Sequence, residues 1–207
     1  MAGRWCRLEP LDAGRHARQL FEANLLDETQ ANWTYLSIGP FHGLDEYTRW
    51  VRHAALSDDP LFHAIVDAGS NAASGVAAYM RIDPANGVLE IGHLNFSPRL
   101  QRTRAATEAI ALMLRRAFDE LGYRRVEWKC DSLNAASRRA AERFGFTCEG
   151  VFRQAMVYKG RSRDTAWYAI IDREWPALRA AFEAWLGPEN FDGEGRQRRR
   201  LAAFRKA

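Results

Sequence analysis

Residues 97–118, SPRLQRTRAATEAIALMLRRAF, pass from a proline through Arg99, Arg102 and Arg104 into small residues and then an apolar helical pattern. A helix start presents unpaired backbone N–H groups and a partial positive charge, so arginines placed there oppose the dipole. That placement becomes sensible if an anion docks at the helix end, with the backbone approached past Ala105, Ala106 and Thr107. Upstream, VLEIGHLNF carries a carboxylate and an imidazole, Glu90 and His93, the residue types that move protons near neutral pH. Three residues apart on a regular strand, they are expected on opposite faces, so that only one meets a given cleft. Downstream, Asn134 and Ser137 open a short helical run; an Asn there is a favoured N-cap, and a Ser in the first turn is ordinary.

The elements that must hold these groups can be read from periodicity. WCRLEPL reads as a short edge strand stopped by Pro10; residues 13–26 and 43–56 carry apolar stripes at helical spacing. LFHAIVDA, SGVAAYMRID and VLEIGHLNFS, broken by AGSNAAS and PANG, read as an antiparallel meander. The helix opening near residue 104 places Ile110, Met113, Leu114, Ala117, Phe118 and Leu121 on one face and ends at Gly122. RRVEWKC is a strand, DSLNAASRRAAERFGF a second helix ending at Gly145, and two strands joined by KGRSR precede a terminal helix, EWPALRAAFEAWL. Residues 187–195 read as a loop.

The chain has 207 residues and is 47% hydrophobic, enough for one domain with a full core. Residues 1–186 are taken as that domain and 187–207 as a loop with a basic tail. The net charge is +4, but Arg196, Arg198, Arg199, Arg200, Arg205 and Lys206 outweigh it, which leaves the body slightly acidic. A basic tail on an acidic body reads as a solvated segment or short surface helix, and disfavours nucleic acid as partner. The N-terminal stretch has no apolar run of secretory or membrane-spanning length, so a cytoplasmic protein without membrane contact is expected. Cys6, Cys130 and Cys148 match no zinc spacing and are read as reduced thiols, with no metal site.

LQRTRAATEA resembles the acyl-CoA pyrophosphate loop of the GNAT (GCN5-related) N-acetyltransferases, Q/R-x-x-G-x-G/A, at the start of their central helix. Gln101 and Ala106 match its ends; Arg104 stands where the pattern has its middle glycine, and is expected either to clasp a phosphate or to obstruct the pocket. NAASRRAAERFGF is similar to the N-x-x-S…G-F block of the ribosomal-protein-alanine-acetyltransferase-like branch, and the element order is also that of the family. The resemblance implies an α+β GNAT acyl-CoA N-acyltransferase fold, a mixed, mostly antiparallel seven-stranded sheet flanked by helices. It also implies acetyl transfer from acetyl-CoA to a primary amine by direct attack, without metal, the acceptor being a protein N-terminus, an amino acid or a small amine.

A free amine of this kind has a pKa of about 10.4, so deprotonating it at neutral pH costs about 4–5 kcal/mol and calls for a base. By resemblance that base is Glu90, and Ser137 is the proton donor to the departing thiolate, because Ala141 occupies the position where many family members have a tyrosine. Cofactor contacts are implied at Leu94, Asn95 and Phe96, whose backbone would also stabilise the oxyanion, at Gln101, Arg102, Thr103, Arg104, Ala105, Ala106 and Thr107, and at Asn134 and Ser137. A core role covers most of the aromatics Trp33, Tyr35, Phe41, Tyr47 and Trp50, while the aromatic-rich loop NWTYLSIGPFHG is of a kind that shapes a pocket lid. Tyr158, Lys159, Arg161, Arg163 and Asp164 are read as an ordinary charged turn. The resemblance also points to a homodimer, with the terminal strands as the expected contact. A second reading is a GNAT-like CoA-binding sensor or interaction module without turnover.

Overall fold

A computed structural model describes residues 1–205. Seven strands form one sheet in the order β1-β2-β3-β4-β5-β7-β6. They are β1 (Cys6–Pro10), β2 (Leu61–Asp67), β3 (Ala73–Asp83), β4 (Val88–Phe96), β5 (Arg125–Asp131), β6 (Thr147–Tyr158) and β7 (Arg161–Ile171). All neighbours pair antiparallel except β4 and β5. The helices are α1 (Ala13–Asn24), α2 (Leu44–Ala54), α3 (Arg104–Arg115), α4 (Ala135–Phe144) and α5 (Trp175–Leu186). The α+β reading, the meander and the element order all hold. Short 3₁₀ turns at Ala31–Trp33, Pro188–Asn190 and Leu201–Phe204 lie in stretches that lack a helical apolar period. Among the described residues no helix is long and apolar enough to cross a membrane.

Two apolar cores hold the sheet. On one face α3 and α5 bury Ile110, Met113, Leu114, Phe182 and Trp185 against Leu89, Ile91, Val126 and Tyr168. On the other, α1 and α2 bury Leu20, Tyr47 and Val51 against Phe62, Ala64, Val76 and Ala78. β3 is covered on both faces, which is why Ala73–Tyr79 is continuously buried instead of alternating. Trp33, Phe41, Tyr47 and Trp50 form an edge-on and tilted aromatic ladder in the second core, as read. Thr103 caps α3, its hydroxyl accepting from the Ala106 N–H at 3.1 Å, and a π-helical turn, Arg116–Glu120, follows before Gly122 at φ +71°; past that turn Leu121 is exposed and does not continue the apolar face as expected.

The C-terminal segment folds back onto the domain. Phe191 and Leu201 are buried in the first core, and Arg205 donates to the Glu142 carbonyl at 3.1 Å at the end of α4. Arg196 pairs with Asp192 at 3.3 Å, and Arg199 donates to the Ala203 carbonyl at 2.7 Å and stacks on Phe204. Much of the tail's positive charge is thus engaged within the chain. Lys206, counted with the basic tail, lies outside the described residues.

Candidate active site

β4 and β5 pair only from Val88 to Glu90 against Arg125 to Glu127. Beyond that point β4 runs on to Phe96 and β5 to Asp131 without a common ladder, and the strands splay. The gap opens into a cleft lined by Glu90–Leu94 of β4, Trp128–Asp131 of β5 and Asn134 and Ser137 of α4, with Tyr35, Tyr158 and Arg163 at its walls. A β-bulge interrupts β4 here: His93 and Leu94 both oppose Ala77, and His93 has φ +48°. The bulge resets the side-chain parity. Glu90 and His93 therefore line the same cleft, and the expectation that only one could do so is corrected. Parity fails because it presumes an unbroken ladder.

Glu90 is buried at 3% exposure, not a surface glutamate. Its Oε2 takes Arg81 Nη1 at 2.6 Å and Lys129 Nζ at 3.2 Å, while Lys129 also meets Glu127 Oε2 at 2.6 Å and lies 3.8 Å from the Trp167 ring centroid. Arg81 is aimed by a second bulge, where the Asp59 carboxylate accepts the N–H groups of Arg81 and Ile82 at 2.8 and 3.0 Å. The His93 imidazole packs on Phe62, ring centroids 5.1 Å apart. Burial first, then the Arg81 charge, lowers its pKa from the ordinary value, so it is neutral at pH 7 with a lone pair available.

Ser137 sits where two roles meet. Its Oγ accepts Trp128 Nε1–H at 2.9 Å, which occupies an oxygen lone pair and leaves the hydroxyl proton to donate. Asn134 caps α4, accepting the Ser137 N–H at 3.0 Å, so the capping reading is satisfied by its oxygen while the residue still lines the cleft. Ala141 is fully buried. Of Leu94, Asn95 and Phe96, Leu94 lines the cleft, while the Asn95 side chain turns inward, buried, with both amide atoms unpartnered among the described residues.

The loop before α3 differs in detail from its reading. The Gln101 side-chain amide donates to Asn32 Oδ1 and to the Phe96 carbonyl, both at 2.8 Å, tying this loop to the α1–α2 connection. Arg102 is exposed at φ +62°. Ala105, Ala106 and Thr107 are buried against the sheet, so their side chains do not line an approach to the helix. Arg104 does not line the β4/β5 cleft, and its guanidinium is held elsewhere. It stacks between the rings of Trp5 at 3.9 Å and Phe191 at 4.6 Å, drawn away by aromatic faces that lie at the two ends of the sequence. What the turn offers an anion is backbone N–H. Arg104→Ala is expected to lower stability by about 1–2 kcal/mol, the worth of two such contacts, seen as a lower melting temperature and not as weaker cofactor binding.

The β6–β7 hairpin is more than a charged turn. Lys159 Nζ donates to the Trp33 carbonyl at 2.8 Å and Arg161 Nη2 to the Thr34 carbonyl at 3.1 Å, while Tyr35 Oη reaches the Leu133 carbonyl at 3.1 Å. These bonds roof the cleft with the aromatic loop. Tyr158 donates to Asp131 Oδ2 at 2.9 Å; burial, then Asp131, raises its pKa and keeps the phenol protonated. Single-sequence reading missed the hairpin's part because its partners lie more than a hundred residues upstream. Among the described residues no group of three or more His, Cys, Asp or Glu could hold a metal ion.

Comparison with known proteins bears on the family and the fold. The family model described as "Acetyltransferase (GNAT) domain" matches residues 6–147. YdaF of Bacillus subtilis strain 168, whose name assigns it provisionally to ribosomal N-acetylation, is 26% identical over 176 residues, spanning 81% of this chain and 90% of that protein. The crystal structure of a GCN5-related N-acetyltransferase from Brucella melitensis is 51% identical and superposes with a TM-score of 0.97, covering 99% of this chain and 92% of that one. The microcin C7 self-immunity acetyltransferase MccE, solved with acetyl-CoA and AMP, shares the fold at 21% identity and a TM-score of 0.71, covering 82% and 93%.

Proposed function

The chain belongs to the GNAT acetyltransferases and is an N-acetyltransferase enzyme; from that premise we propose that it moves acetyl from acetyl-CoA to a primary amine by direct attack in the β4/β5 cleft. The observation that carries this reading is the splay beyond Glu90, with proton-accepting and proton-donating side chains on the two sides of one gap. In it, the pyrophosphate meets the backbone of Gln101–Thr107 at the start of α3, where dipole and free N–H groups favour an anion. The pantetheine arm lies between the strands beside Asn134, and the thioester oxygen is polarised by backbone N–H groups in Leu94–Phe96.

Glu90 draws in the ammonium and takes its proton; the amine nitrogen bonds to the thioester carbon, and collapse of the adduct breaks the C–S bond. Ser137 donates its hydroxyl proton to the departing thiolate and is reprotonated by the second proton, which the acylated nitrogen sheds as the amide forms. His93, unprotonated on the same face, is the competing proton acceptor, and the bulge is the observation that favours it. A cytoplasmic location and a homodimer belong to the same proposal. The second draws support from β6, a sheet edge exposing Val151, Phe152 and Val157.

Amine-dependent release of the free CoA thiol tests the reading: release that requires both acetyl-CoA and an amine supports it, and release without amine dependence refutes it. Ser137→Ala is expected to lower kcat by about 10- to 100-fold, the worth of a hydrogen bond to a developing charge, with little change in KM for acetyl-CoA. A melting curve separates this from the loss of the Trp128 contact.

A further inference from the structure

The cleft holds one cation, Arg163, that no carboxylate pairs with among the described residues; the Tyr158 ring faces it, 5.8 Å from Cζ to the ring centroid. Of the basic residues on the β6–β7 hairpin, Lys159 and Arg161 are spent on the Trp33 and Thr34 carbonyls. Arg163, half-buried and lining the cleft, has only its Nε committed, to Thr165 Oγ1 at 3.1 Å, which fixes the plane of the guanidinium. Its two Nη groups have no acceptor, and no carboxylate comes within ion-pair distance, among the described residues.

The other charges of the cleft are engaged. Arg81 and Lys129 converge on Glu90, and Lys129 on Glu127. Asp131 accepts the Tyr158 hydroxyl and the Leu133 N–H, each at 2.9 Å. A partly desolvated guanidinium with free Nη edges is a fork for two coplanar oxygens, and it gains most from an oxyanion brought to it. The cofactor's pyrophosphate does not fill this role, because the first turn of α3 does not line the cleft.

We infer that the acceptor amine carries its own oxyanion, a carboxylate or phosphate a few bonds from the nitrogen, which Arg163 grips while the nitrogen faces the thioester. This rests on the acetyl-transfer reading above. It selects free amino acids or aminoalkyl phosphates over protein N-termini that begin with an uncharged residue.

The test measures CoA release by the wild-type enzyme with glycine and L-alanine against their α-amides, with 2-aminoethyl phosphate against ethanolamine, and with a neutral tripeptide amide. The α-amide's amine is the less basic and so the more deprotonated at neutral pH, which means amine reactivity alone favours the amides. Arg163 is expected to reverse that order, with kcat/KM higher for the oxyanion-bearing amine by about 10- to 100-fold, the range of a charge-assisted hydrogen bond. The acid and phosphate arms show which anion is preferred.

In Arg163→Gln the ratio between acid and amide should fall to about one, and Arg163→Lys, which keeps charge but loses the fork, should fall between. The inference is overturned if amides or the neutral tripeptide react as fast as the acids in the wild type, or if Arg163→Gln lowers acid and amide alike. CoA release with amides alone leaves acetyl transfer standing and removes only this inference; no release with any amine removes both.

Discussion

Glu90→Gln is expected to lower kcat/KM for amine acetylation by about 10²- to 10⁴-fold, the range of a lost general base, while acetyl-CoA still binds. The substitution keeps the shape of a side chain that is 3% exposed and takes away the charge on which Arg81 and Lys129 converge. Both cations retain surroundings that hold them, Lys129 through Glu127 and the Trp167 face and Arg81 through the Asp59-clamped bulge. A collapse of the site is therefore not expected, and a melting curve checks it. The diagnostic lies in the acceptor: an amine already neutral at the assay pH needs no base, so the deficit of Glu90→Gln should shrink with weakly basic amines and as the pH is raised. If His93→Asn produces the deficit and Glu90→Gln does not, the proton goes to the imidazole that the β4 bulge brings to the same face.

Glu108→Ala is expected to destabilise the fold by about 3–5 kcal/mol, because it strips the acceptor from several backbone donors at once. The buried Glu108 carboxylate, on α3, accepts the N–H groups of Arg4, Trp5 and Cys6 at 2.8, 2.6 and 2.8 Å. No strand pairs with that stretch on the α3 side, so the carboxylate does for the entry to β1 what a ladder would otherwise do. The fit leaves no slack: a Cβ on Gly3 would collide with the Glu108 carboxylate. Urea unfolding monitored by tryptophan fluorescence measures the loss. A change below about 1 kcal/mol, the worth of a single ordinary hydrogen bond, would contradict this role.

Much of the fold was legible because its periodicities are local. The meander at residues 61–96, the apolar face of α3 and the Asn134 and Gly145 boundaries of α4 all follow from spacing and capping chemistry. The site was legible in part: Glu90, Asn134 and Ser137 line one cleft, as expected of them together. What sequence could not show were effects set by register and distance. The bulge that turns His93 beside Glu90 leaves no mark beyond an inconspicuous Gly92-His93 pair. Arg104 stood in the phosphate-loop motif, yet its side chain answers to Trp5 and Phe191, almost two hundred residues apart. The hairpin cations looked like a solvated turn because the carbonyls they hold belong to the α1–α2 connection. Glu108, within LQRTRAATEA, holds the backbone of Arg4–Cys6, a partner about a hundred residues upstream.

The most direct test of acetyl transfer at the β4/β5 cleft is calorimetric titration of the full chain with acetyl-CoA, with ATP as the phosphate-bearing comparison. Micromolar binding of acetyl-CoA, at least about tenfold tighter than ATP, or about 1.4 kcal/mol, is the predicted result. Equal affinity for the two, or no binding of acetyl-CoA, would contradict it.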